Sequence, residues 1–206
     1  MIPKTETAAH RTAKLLTDAI SVGDASKVAD LIDNGAGVDQ CDTLGQLPMF
    51  VATRDGKNEI VRLLIARGAN PNDPVDDSGR TALIHAASNG YLDIVRTLID
   101  SGASMDAVDN FGLSALWICA HSLANEWVNK PDLAAWRSAQ NQSPTGRVAI
   151  IEQLISRGAN INLSPKAADS AARLIRDTKI PRLITLLDGA EKSAPRKSFL
   201  AKLLRQ

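Results

Sequence analysis

The side chains able to transfer protons, attack carbon or hold metals are few in this chain and poorly grouped. His10, His85 and His121 are its only histidines, and Cys41 and Cys119 its only cysteines. His85 and His121 fall at nearby places in neighbouring units of the repeat described below, so their rings can approach one another. A zinc site would still need one or two further nitrogen or sulfur ligands, and Cys119 sits in an Ala-rich stretch that reads as core. Cys41 has no neighbouring His or basic residue to lower its pKa, which argues against a nucleophile. The two cysteines lie 78 residues apart at unrelated places in the repeat, so no bridge is expected. Asp73, Asp76 and Asp77 lack the alternating ladder and distal Glu of a calcium loop and read as turn-forming aspartates. No phosphate loop, dinucleotide fingerprint, nucleophile elbow or metal-protease helix is present. The expectation is therefore no catalytic residue, no cofactor and no metal.

Composition bounds the rest. The 206 residues are 44% hydrophobic but only 3% aromatic, so a core must come from Leu, Ile, Val and Ala between closely packed helices. The 24 Lys and Arg against 23 Asp and Glu give no overall field that favours nucleic acid or an anionic membrane. The charge is uneven: residues 189–206 carry Lys192, Arg196, Lys197, Lys202 and Arg205 against Glu191. Beyond Pro195, SFLAKLLRQ reads as a short basic amphipathic helix, expected to dock on the last repeat, with binding to an acidic partner or a membrane surface as the alternatives. The polar N-terminal stretch has no apolar run of a secretory leader, and no stretch is long enough to span a membrane, so a reducing cytoplasm is the expected location.

The organising signal is a repeat. LIDNGAGVD (31–39), LIARGANPN (64–72), LIDSGASMD (98–106) and LISRGANIN (154–162) share a pattern centred on Gly35, Gly68, Gly102 and Gly158. A second series, Gly23, Gly56, Gly90 and Gly146, stands 12 residues before each of these. A third, Gly45, Gly79 and Gly112, follows an Asp by three residues. The first series reads as helix stops, the second as tight turns between antiparallel helices, the third as β-turns with a positive φ. In residues 79–102 Thr81 is placed to cap a first helix, while Ile94, Val95, Leu98 and Ile99 share one face of a second. Each unit is turn, helix, turn, helix.

Residues 76–109 follow closely the pattern D-x-x-G-x-T-P-L-H-x-A-A-x-x-G-x-x-x-I-V-x-L-L-x-x-G-A-x-x-N, and in this the chain resembles the ankyrin-repeat family over about 15–162, more weakly over 163–188. The resemblance implies an all-α fold with short β-hairpin turns, an ankyrin-repeat α-solenoid forming a single domain over 1–206. Its units are an N-terminal cap at 10–41, repeats at 42–75, 76–108 and 109–162, a degenerate C-terminal cap at 163–190 that reads as two helices, about 166–177 and 180–188, and a basic helix at 191–206. Leu47 replaces the capping Thr in the second repeat, Ile84 and Trp117 replace the family's His, and DPVDD adds one residue to a hairpin. The 56 residues from Gly102 to Gly158 hold an insertion at 123–145. It contains Trp127 and Trp136, which read equally as anchors for a partner or as cover for the apolar flank of the fourth repeat.

The resemblance also implies a function: recognition of another protein through hairpin tips and the concave first-helix face, by an adaptor or scaffold that is not an enzyme and is monomeric when free. A stoichiometric, immunity-type inhibitor of a partner enzyme is the alternative, and an enzyme or metal-binding protein a remote one. The matching surface positions are Thr43, Leu44, Gln46, Arg54 and Asp55 in the second repeat. They are Asp77, Ser78, Arg80, Ser88 and Asn89 in the third, and Asn110, Phe111, Leu113, His121 and Ser122 in the fourth. Leu44, Phe111 and Leu113 are apolar where turns are usually polar, which points to an interface or to packing between hairpins.

Overall fold

The computed structural model describes residues 8–128, 146–163, 170–178 and 180–193. The chain runs α1 (Ala8–Val22), α2 (Ala25–Asp33), α3 (Pro48–Arg54), α4 (Asn58–Ala66), α5 (Ala82–Asn89), α6 (Leu92–Asp100), α7 (Ala115–Val128), α8 (Arg147–Ser156), α9 (Ala171–Asp177) and α10 (Pro181–Ser193). The odd-numbered helices pack side by side in one layer and the even-numbered in a second, each odd helix antiparallel to the even one that follows it. This is an all-α solenoid, and its strand content among the described residues is limited to isolated bridges such as Pro74 with Thr81 and Val108 with Ser114.

Local chemistry explains the helix limits. The Thr81 hydroxyl caps α5 by accepting from the Ile84 N–H, as expected. Leu47 has no side chain to do this for α3, whose start relies on Pro48 at the first helical position. All three glycine series adopt positive φ. Against neighbouring backbone the constraint is tightest at Gly146, where φ is +66° and a Cβ would stand 2.9 Å from the Gly90 carbonyl oxygen, so the turn into α8 rests against the turn of the preceding unit.

The space between the layers is filled by aliphatic side chains. Ile94, Val95 and Leu98 are buried, and Ile99 packs at the margin of the same core. Ile84 is buried too, so a hydrocarbon replaces the polar contact of the family's His in that repeat.

Three boundaries differ from the sequence expectation. Leu123, assigned to the insertion, is fully buried, because α7 continues past Ser122 and keeps its apolar face on the core. The last helix pair was expected at 166–177 and 180–188. The first of them begins at Ala171, where the Ser170 side chain caps it from outside. The second does not stop at Gly189 but runs to Ser193, and Arg176 on α9 pairs with Asp188 and Glu191, which fastens its last turns. Residues 191–193 thus belong to α10, and the remainder of the basic segment lies outside the described residues, as does most of the insertion.

Candidate interaction surface

Three hairpin tips, 42–46, 76–80 and 109–113, form one edge of the solenoid, each built around an aspartate. In the second repeat Asp42 Oδ1 accepts from the N–H groups of Leu44 (2.8 Å) and Gln46 (2.9 Å). Asp76 does the same for Ser78 (2.9 Å) and Arg80 (3.2 Å), and Asp109 for Phe111 and Leu113 (both 2.9 Å). A carboxylate with two backbone donors is a strong clamp, and it fixes the residues that follow it in the turn.

The second carboxylate oxygen is held differently each time. Asp42 Oδ2 accepts from the Thr17 hydroxyl on α1 at 2.8 Å. Asp76 Oδ2 lies 2.6 Å from His85 Nε2 on α5. Asp109 Oδ2 accepts from Arg80 Nε of the preceding tip at 3.4 Å. Partial burial of Asp76 works against its ionisation, but hydrogen bonds from His85 and the tip N–H groups outweigh it and hold the carboxyl below its ordinary range.

On these clamps Leu44 and Phe111 occupy the same turn position and are 72% and 66% exposed. Thr43, Asp77 and Asn110 beside them are exposed, and Gln46, Ser78 and Arg80 are half-buried. Leu113 packs against the core margin and offers little surface. Val108, which the sequence did not single out, is 44% exposed; its apolar type at the foot of a hairpin was the available signal.

The first helices continue the surface. Arg54 binds the Asp55 carboxylate through Nε at 2.7 Å and lies over the Phe50 ring at 5.6 Å. The hydrogen bond from Arg54 is the main cause of a lowered Asp55 carboxyl. The Ser88 carbonyl accepts from Arg147 at 2.8 Å, leaving Asn89 exposed beside it. His121 stacks on Trp117 with ring centroids 4.8 Å apart and lies 3.0 Å from Asn125 Nδ2, with Ser122 half-buried next to it. His85 instead meets Asp76 and, edge-on at 5.2 Å, Phe50. The two histidines thus have separate partners. The Trp127 side chain and all of Trp136 lie outside the described residues.

Among the described residues no three His, Cys, Asp or Glu side chains come together to hold a metal, and no helix is long and apolar enough to cross a membrane. Cys119 is buried and Cys41 half-buried, and no disulfide joins them. A groove of about 830 Å³ between α8 and α10, with Ile155, Leu186 and Ala190 in its wall, contains none of the surface positions that the family resemblance marks for a partner.

The family model for ankyrin repeats in three copies matches residues 16–109. Residues 16–109 are ankyrin repeats. The matched span ends where the fourth repeat begins, the unit split by the insertion, although α7 and α8 stack on α5 and α6 as their predecessors do. The chain is similar to human ankyrin repeat domain-containing protein 63, 28% identical over 131 residues, which are 58% of this chain and 34% of that protein. It is similar to a putative ankyrin repeat-containing protein of Treponema pallidum, 35% identical over 106 residues, 51% of this chain and 35% of the other. A probable 26S proteasome regulatory subunit p28 of Saccharomyces cerevisiae is 36% identical over 86 residues, 41% of this chain and 38% of the subunit. The chain thus spans between a third and two-fifths of the length of each of these relatives. Ankyrin repeats are modules of protein–protein interaction.

Proposed function

We propose that this protein holds a partner protein along its hairpin edge and the adjoining odd-numbered helices, as an adaptor or scaffold with no chemistry of its own. One observation carries the reading: Leu44 and Phe111 are large apolar side chains turned to solvent at the same position of turns that buried or half-buried carboxylates hold in place. A side chain that is exposed yet positionally fixed loses little entropy on contact, which suits an anchor. The similarity to a proteasome regulatory subunit is in keeping with a part played within an assembly.

The direct test places a photo-crosslinking amino acid at Leu44, at Phe111 or, as a comparison, at Arg96 on α6, and irradiates the full chain in its source cell. Partner proteins joined from Leu44 and Phe111 but not from Arg96 are the expected result. Crosslinks from Arg96 alone would refute the assignment of the surface.

A further inference from the structure

The three tips are not joined to one another in the same way. Between the third and fourth repeats the tips are bonded edge to edge: the Asn110 N–H donates to the Ser78 carbonyl at 2.9 Å, and Asn110 Nδ2 donates to the Asp77 carbonyl at 3.1 Å. One repeat earlier, the same register pairs the Asp77 N–H with the Leu44 carbonyl and the Asp77 side chain with the Thr43 carbonyl. Neither bond forms, and among the described residues these four groups have no hydrogen-bond partner.

Two features of the sequence break the rungs. Asp77 replaces the Asn of the next tip, and a carboxylate has no N–H to give. The hairpin also carries one extra residue: seven positions separate Gly35 from Asp42 and Gly102 from Asp109, but eight separate Gly68 from Asp76. In the flanking hairpins the clamping aspartate itself donates across the turn, Asp42 to Gln46 and Asp109 to Leu113; in the third, Val75 donates to the Arg80 carbonyl at 2.7 Å in its place. The extra residue is thus absorbed as a bulge, which shifts one strand against its neighbours and leaves backbone groups unpaired.

We infer that the junction between the second and third tips is a docking site for an extended segment of the partner protein, one that carries a basic side chain beside an apolar one. The inference rests on the reading of the hairpin edge as protein-binding. The free groups are two carbonyls and a carboxylate against a single N–H, so their complement is rich in donors and positively charged. A main chain in extended form offers the N–H groups and the one carbonyl required, a Lys or Arg meets Asp77, and an apolar side chain covers Leu44, which is 72% exposed. The closed junction at Asn110 has no such vacancy, although Phe111 stands beside it. Occupation of the open junction gives the partner its register along the repeats.

The experiment pans a library of random twelve-residue peptides against the full chain, then measures the enriched peptides as synthetic ligands. The expected peptides pair a Lys or Arg with a neighbouring aliphatic or aromatic residue, shift the Asp77 amide resonance, and bind more weakly as salt is raised. Asp77→Asn, close in shape to the native residue, lowers their affinity at least tenfold, and Leu44→Ser does likewise, with thermal melting of both variants unchanged. N-methylation of the peptide backbone at the contact residues abolishes binding. Peptides that shift only α3, α5 and α7 resonances, or bind Asp77→Asn as well as the parent, would overturn the docking site while leaving the broader protein-binding reading in place. Failure to enrich any peptide would overturn it too.

Discussion

Leu64, Leu98 and Leu154 occupy one register position in three units, and all three are fully buried. Leu44, Ser78 and Phe111 also occupy one register position, on turns clamped in the same way, and their side chains have little in common. The interior and the hairpin edge thus draw on one repeat to opposite ends. Between the helix layers every unit meets the same surroundings, so the residue type is constrained to a narrow range of volume. At the edge the aspartate that fixes the turn is retained, and the residue displayed on it is free to differ. Where the repeat is strict the sequence encodes stability; where it lapses over a preserved scaffold, it encodes a surface.

That contrast can be broken first in the interior. Leu98→Ala removes a fully buried side chain from between stacked units and is expected to destabilise by about 2–5 kcal/mol in denaturant melts. A loss below about 1 kcal/mol would mean that the units do not seal one another. The clamps come next. Asp109→Ala strips the acceptor from two tip N–H groups and leaves Arg80 without its carboxylate, at an expected cost of about 2 kcal/mol, whereas a neutral result would show that the tips need no fixed anchor. The clamp at Asp76 gives a pH signature. Its folded-state carboxyl titrates below its ordinary value, so its contribution is fully present above about pH 4 and is lost as pH falls through the lower folded value. Asp76→Asn should therefore flatten the acid limb of the stability profile relative to the parent, and equal limbs would remove Asp76 from the account.

The insertion sharpens the comparison by subtraction. Removing residues 126–145 while keeping Leu123 in place should leave helical circular dichroism and a cooperative melt, since Gly146 already turns the chain into α8 beside Gly90. A non-cooperative melt would place the insertion in the core after all.

The parts legible from sequence were those fixed by local geometry. A glycine recurring at a constant offset declares a backbone conformation, and an apolar quartet at helical spacing declares a buried face, so the turns, the Thr81 cap and Leu98 could be placed from residue types alone. The parts that were not legible depend on neighbours. Nothing in Gly189 says whether a helix stops there, because glycine permits a stop without imposing one, and the pairing of Arg176 with Asp188 and Glu191 decides it. Leu123 reads as insertion by counting and as core only once α7 is seen to continue. The pairing of His85 on α5 with Asp76 in the hairpin before it is a tertiary contact that the residue types do not declare. At the edge, the sequence marked Leu44 and Leu113 alike; the structure exposes the first and tucks the second against the core.

The central claim is that Leu44 and Phe111 are displayed for a partner and contribute nothing to the fold. A single comparison tests both halves: the full chain and its Leu44→Ser, Phe111→Ser double variant are expressed in the source cell, captured in parallel, and their bound proteins quantified by mass spectrometry beside a denaturant melt of each. The account predicts melts that agree within about 0.5 kcal/mol and a set of partner proteins recovered at least tenfold less with the variant. Equal recovery of every bound protein, or a melt lowered by about 2 kcal/mol or more, would contradict it.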